Sequence, residues 1–215
     1  MAREPMEHVD AVVRSDPGGS PGRGPGAGGA APDATHSERT ADEICRDVRL
    51  GARAKKLLVA EMKPGQFLTL LVEHRLYADA IRYMAHALLN REAVWWACLC
   101  ARSGTESLEA MPAPQRQALG AAVRWVLEPT EAHRQEAARS VDGAGTRTPA
   151  GAAARAAAFA LGQAETPGPG AIPPSPVLAA RMAGASVLLA AKSSARLRRF
   201  IILGLDVAYG ENRWD

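Results

Sequence analysis

At 215 residues, 47% of them hydrophobic and only 5% aromatic, the chain has enough apolar mass for one core with appendages, packed mainly from Leu, Val and Ala at close approach. Its 26 basic and 23 acidic residues leave a net charge of +3 on a mixed-sign surface, which carries no polyanion-binding signature and argues against a nucleic-acid partner. Cys45, Cys98 and Cys100 form no regular disulfide framework, Met1–Asp10 lacks the apolar stretch of a signal peptide, and the Val177–Ala191 apolar run is interrupted by Arg181. These features predict a cytoplasmic protein without membrane insertion.

The first 39 residues include a Gly/Pro/Ala/Ser tract from Pro17 to Pro32 that cannot bury enough surface to offset its ordering entropy, so 1–39 is expected to be a disordered tail. Gly24, Gly26 and Gly29 match a dinucleotide fingerprint only in spacing, with no strand before them and no apolar-faced helix directly after. Order is expected from Thr40, an N-cap candidate for a helix through Ile44, Val48 and Leu57 to about Met62, with a break open at Gly51. Pro64 then opens a predicted helix to about Leu89, with Phe67, Leu70, Leu71, Tyr77, Ala78, Ile81, Met84 and Leu88 in one stripe and Val72, Leu76 and Tyr83 in a second. Asn90 is the expected cap of the next helix, whose nine residues Ala93–Ala101 carry no charged or hydroxyl side chain. A helix that is hydrophobic all round is buried all round, so Trp95 and Trp96 are expected core residues, each costing about 3–5 kcal/mol when cut to alanine.

Beyond the Met111–Pro114 punctuation, Leu119, Ala122, Val123 and Val126 predict a helix that also carries Trp125 and stops at Pro129. Thr130 starts another to Val141, with Asp142-Gly143 as its turn, and Thr148-Pro149 starts an alanine-rich helix ending near Leu161. A Pro-rich connector is expected at 162–175, followed by a helix from Ser175-Pro176 to about Lys192. A last helix is capped by Ser194 and closed near Tyr209 by Gly210. Arg199–Val207 also reads as a strand taken alone, but its neighbours favour helix. The sum is an all-α bundle of about seven helices spanning 40–215.

Candidate sites are few. Cys98 and Cys100 diverge by about 200° around a helix and cannot share a metal or a bond, so they read as small buried hydrophobes. Arg75, Asp79, Arg82 and His86 follow at helical spacing and predict one polar strip, either a solvated face stitched by Asp79 or a partner contact with a titrating His86. His74 falls in the apolar stripe and reads as a hydrogen-bonded core histidine. Lys192, Arg196, Arg198 and Arg199 cluster where the last two helices meet, a second candidate contact without an interleaved aromatic platform. Pro173–Pro176 fits a polyproline ligand, though a linker ending in an N-cap and N1 proline accounts for it. No phosphate loop, helical histidine pair or nucleophile elbow is present, so no catalytic residue, metal or cofactor is assigned.

The segment from His74-Arg-Leu-Tyr-Ala-Asp-Ala-Ile-Arg82 through Arg91-Glu-Ala-Val-Trp-Trp-Ala-Cys-Leu-Cys-Ala-Arg102, with Trp125 before Glu128-Pro129, resembles an uncharacterised bacterial family of small all-helical proteins. The likeness extends faintly to Trp214 and leaves out the tail before Thr40. Some members of that family are encoded near type VI secretion genes. The resemblance therefore implies an accessory or adaptor protein whose partner is a secretion component or an effector, and it carries no catalytic residue. The expectation is a non-enzymatic adaptor. The alternatives are a nucleic-acid-binding regulator using Lys192–Arg199 and an enzyme with an unfamiliar site near Asp79 and His86. Oligomeric state is left open.

Overall fold

The computed structural model describes residues 39–161 and 173–212, which form ten helices and no strand, where about seven helices are expected from the sequence. The expected N-terminal tail, most of the expected connector and Trp214 lie outside the described residues. Two predicted long helices are each broken in two.

The first break lies between Thr40 and Met62, where the chain makes α1 (Ala41–Cys45) and α2 (Ala52–Lys55) instead of one helix. Glu43 reaches back to accept the Thr40 N–H at 3.0 Å, and the Ala41 N–H donates to the Met62 carbonyl at 2.8 Å, so the segment closes on itself. Ile44, Val48, Leu50 and Ala54 are thereby buried together. Their burial outweighs the local preference for a continuous helix, which is weak over so few residues.

The second break divides the predicted Pro64–Leu89 helix into α3 (Pro64–Glu73) and α4 (Tyr77–Ala87). The Arg75 N–H donates to Val72 O at 2.9 Å and the Leu76 N–H to Leu71 O at 2.8 Å, the two bonds of a Schellman turn. That turn requires a left-handed residue, and Arg75 takes the role at φ 57° where glycine is usual. With no glycine or proline there, the break has no compositional signal.

The remaining helices begin close to where the sequence predicts. They are α5 (Asn90–Ser103), α6 (Ala113–Leu127), α7 (Glu131–Ala144), α8 (Pro149–Phe159), α9 (Pro176–Ala190) and α10 (Ser194–Ala208). Leu89, one residue earlier than expected, is the N-cap of α5, and its N–H donates to Glu92 Oε2 at 3.1 Å. The side chains of Thr130, Thr148 and Ser175 accept the N–H groups of His133, Gly151 and Leu178. Ser193, not Ser194, caps α10. The turn after α7 is made at Gly145 (φ 79°) rather than at Asp142-Gly143, and Gly210 (φ 74°) follows α10 as expected. Arg91 at the start of α5 donates to the Val126 and Leu127 carbonyls and so caps the C-terminus of α6.

Helix α8 sits at the centre, packed against α5, α6, α7 and α9, with seven alanines and Gly151 buried. Small side chains there let backbones approach closely and leave dispersion over many contacts to hold the layer. Helix α9 runs antiparallel to α8: Ser175 N–H donates to Phe159 O (2.7 Å) at one end and Ser186 Oγ to Pro149 O (2.8 Å) at the other. It also packs on α4 and α5, so the C-terminal helices are part of the central core and not a pair set apart from it. Helix α10 covers α4 and α5. At Gly204 a side chain would run into Met84 and the Trp96 ring, so glycine is what lets α10 lie over that indole.

Candidate functional site

Gly184 on α9 faces α4 so closely that an added Cβ would come within 3.2 Å of the Ala85 Cβ. The resulting approach, roofed by the loop after α1, leaves a groove of about 350 Å³, open along one side. Arg82 and His86 line it from α4, Val48 and Arg49 from the loop, and Leu178, Arg181, Met182, Ala185 and Leu188 from α9. Among the described residues no acidic side chain lines it.

The loop is held by two polar contacts. Asp79 accepts the Gly51 N–H through Oδ1 at 3.0 Å, and the same oxygen takes Arg82 Nη1 at 3.1 Å. Arg181 Nη2 donates to the Asp47 carbonyl at 3.2 Å, while its Nε is buried without a hydrogen-bond partner. Replacing Asp79 with alanine is expected to destabilise the fold by about 1–3 kcal/mol, because the Gly51 N–H loses its acceptor. Faster amide exchange at Val48–Ala52 than in the wild type, beside a lower urea midpoint, is the measurement. Unchanged exchange would show that Asp79 does not hold the loop.

His86 stays neutral at physiological pH. Burial pushes its pKa down to about 4; the Asp47 carboxylate opposes that shift, and the Arg181 and Arg39 guanidiniums add to it. Between about pH 6.5 and 4 the unfolded chain therefore binds a proton that the folded chain refuses, and stability falls as pH falls through that window. Melting curves of the His86→Gln variant are expected to show a shallower acid-side decline over this window than the wild type. Parallel declines would remove His86 as the cause.

The predicted polar strip is divided. Asp79, Arg82 and His86 share α4, but Arg75 lies in the left-handed turn before it, exposed and off the groove. Asp79 is only 9% exposed, so it is not part of a solvated face. His74 is exposed at the end of α3 and not a core residue, because the helix ends before the stripe could carry it inward. At the α9–α10 junction Lys192, Arg198 and Arg199 are exposed and Arg196 is half-buried, away from the groove lining. Arg49 and Arg181 were not among the sequence candidates. The one available signal was a single arginine inside the apolar Val177–Ala191 run.

Trp96 and Trp125 are wholly buried, whereas Trp95 is half-buried at the edge of the core and donates through Nε1 to the Asn212 carbonyl at 2.6 Å. Burial pushes the Cys98 thiol up to about 12, the Cys100 thiol well above its ordinary value and the half-buried Cys45 to about 11, so none offers a thiolate at neutral pH. Among the described residues no three His, Cys, Asp or Glu side chains converge on a metal-binding geometry, and no helix is long and apolar enough to cross a membrane.

A family model described as a family of unknown function (DUF6931) matches residues 67–208, from α3 to the end of α10. No curated protein and no solved structure matches the chain.

Proposed function

We propose, for a chain that belongs to the DUF6931 family of unknown function, that it is a non-enzymatic accessory or adaptor protein that docks another protein in the groove between α4 and α9. The observation that carries this reading is the groove's composition. Aliphatic side chains and arginines line it, its one imidazole is neutral, and the nearby Asp79 carboxylate is committed to Gly51 and Arg82. Such a surface binds without supplying a nucleophile or a poised acid–base pair. The bacterial setting, with a type VI secretion component or effector as partner, enters the proposal from the resemblance of the Trp95-Trp96 block alone.

Affinity capture from the native host with the wild-type chain and with Ala185→Phe, a half-buried groove position, tests it. Secretion or effector proteins should be recovered by the wild type and lost by the variant at unchanged melting temperature. Recovery of none, or equal recovery by both, would remove the proposal.

A nucleic-acid role has one observation in its favour: Lys192, Arg198 and Arg199 are exposed, and no acidic side chain among the described residues pairs with them. It requires salt-dependent retention on DNA or RNA at low ionic strength. Absence of retention there would end it.

A further inference from the structure

Three guanidiniums meet the same groove from three elements: Arg49 from the loop, Arg82 from α4 and Arg181 from α9. Only Arg82 has a carboxylate of its own, Asp79, and its side chain is still 43% exposed. Arg49 is exposed with no ion pair among the described residues, and Arg181 uses one amino group on a backbone carbonyl while its Nε lacks a partner. Asp47, whose charge acts on His86, does not line the groove. The cationic donors are therefore incompletely used, and Arg181, half-buried with its Nε unpartnered, is where a charge-assisted hydrogen bond to a carboxylate is screened least. Between them lie the aliphatic walls of Val48, Leu178, Met182 and Leu188.

Resting on the docking role proposed above, we infer that the groove takes an acidic, aliphatic segment of the partner protein. One carboxylate side chain meets Arg181 and Arg49, and a neighbouring branched aliphatic side chain packs against Leu178, Met182 and Leu188. Charge complementarity selects the acid, since among the described residues three cations and no anion line the surface. The open side favours a peptide over a free small molecule, because small-ligand sites enclose most of their ligand, about 70–90% of its surface. His86, uncharged at neutral pH, adds a hydrogen-bonding edge without a fourth positive charge.

The test uses fluorescence anisotropy with the full chain and labelled ten-residue probes: glutamate with leucine, lysine with leucine, and glutamate with serine. Dodecanoate and inorganic phosphate serve as unlabelled competitors. The glutamate–leucine probe alone should bind, more weakly as salt rises, and Arg181→Met and Arg49→Glu should each weaken it at least tenfold. Because Arg181 also ties the loop to α9, Arg49→Glu with an unchanged melting curve is the decisive variant. Equal binding of the lysine–leucine or glutamate–serine probe would overturn the inference, as would binding indifferent to Arg49→Glu. Displacement by dodecanoate or phosphate at lower concentration than by unlabelled peptide would assign the groove to a small anion. If no probe binds while Ala185→Phe still loses a captured partner, the acidic-segment inference falls and the docking role stands.

Discussion

Truncation of Trp96 to alanine is expected to cost about 3–5 kcal/mol and to lower the melting temperature by on the order of 10 °C. The indole is wholly buried, its Nε1 donates to the Phe200 carbonyl at 2.8 Å, and α10 lies against it through Gly204. Its removal leaves a cavity, which carries most of the loss; the Phe200 carbonyl, inside α10, keeps its helical donor and gives up only the extra bond from the indole. Trp95→Ala should cost much less, about 1–2 kcal/mol, because that ring is half-buried and loses mainly its bond to Asn212. Urea melts of the two variants side by side check the ranking. Equal costs would show that the edge position of Trp95 is wrong.

Glu131→Ala is expected to cost about 3 kcal/mol, although Glu131 lies at the start of a helix where surface substitutions are usually mild. Arg134 is 3% exposed and is held bidentately, Nε to Glu131 Oε2 at 2.6 Å and Nη2 to Oε1 at 2.7 Å, with Nη1 on the Ala158 carbonyl. Without the carboxylate, the guanidinium stays buried between α7 and α8 with its charge uncompensated. The double variant Glu131→Ala with Arg134→Met should recover most of the loss, because it removes the charge together with its partner. No recovery would mean that the arginine stem and its bond to Ala158 matter more than the ion pair. The pair also has an acid-side signature. The hydrogen bond from Arg134 holds the Glu131 carboxyl below its ordinary value, so its contribution is present at neutral pH and lost as pH falls through that lowered pKa.

Much of the helical layout is readable from single residues. Pro64, Thr130, Thr148-Pro149 and Ser175-Pro176 mark helix starts because a capping oxygen or a missing N–H acts within one turn of the chain. The two breaks behave differently. Arg75 occupies a position that favours glycine, and the strain is held by two backbone hydrogen bonds and the packing on either side. Uninterrupted apolar periodicity therefore carries straight through it. Between Thr40 and Met62 the short helices exist because Ile44, Val48, Leu50 and Ala54 are buried in the shared core, a benefit that belongs to the assembled fold.

The candidate site follows the same division. A four-residue strip from Arg75 to His86 assumes one straight helix; once α3 and α4 separate, Arg75 leaves the strip and Asp79 turns to the loop before α2. Arg181 reads locally as a flaw in an apolar run, and its role appears only where α9 meets Asp47.

The all-helical class, the starts of its later helices and the shortage of catalytic signatures were determined by the sequence, through caps, prolines and apolar spacing that act over a few residues. Which polar side chains are buried, and which meet, was decided by the tertiary structure. Gly51 and Asp79 lie 28 residues apart, and Asp47 and Arg181 lie 134 apart. Contacts at such separations leave no trace in local pattern, because the free energy that selects them comes from packing the helices together.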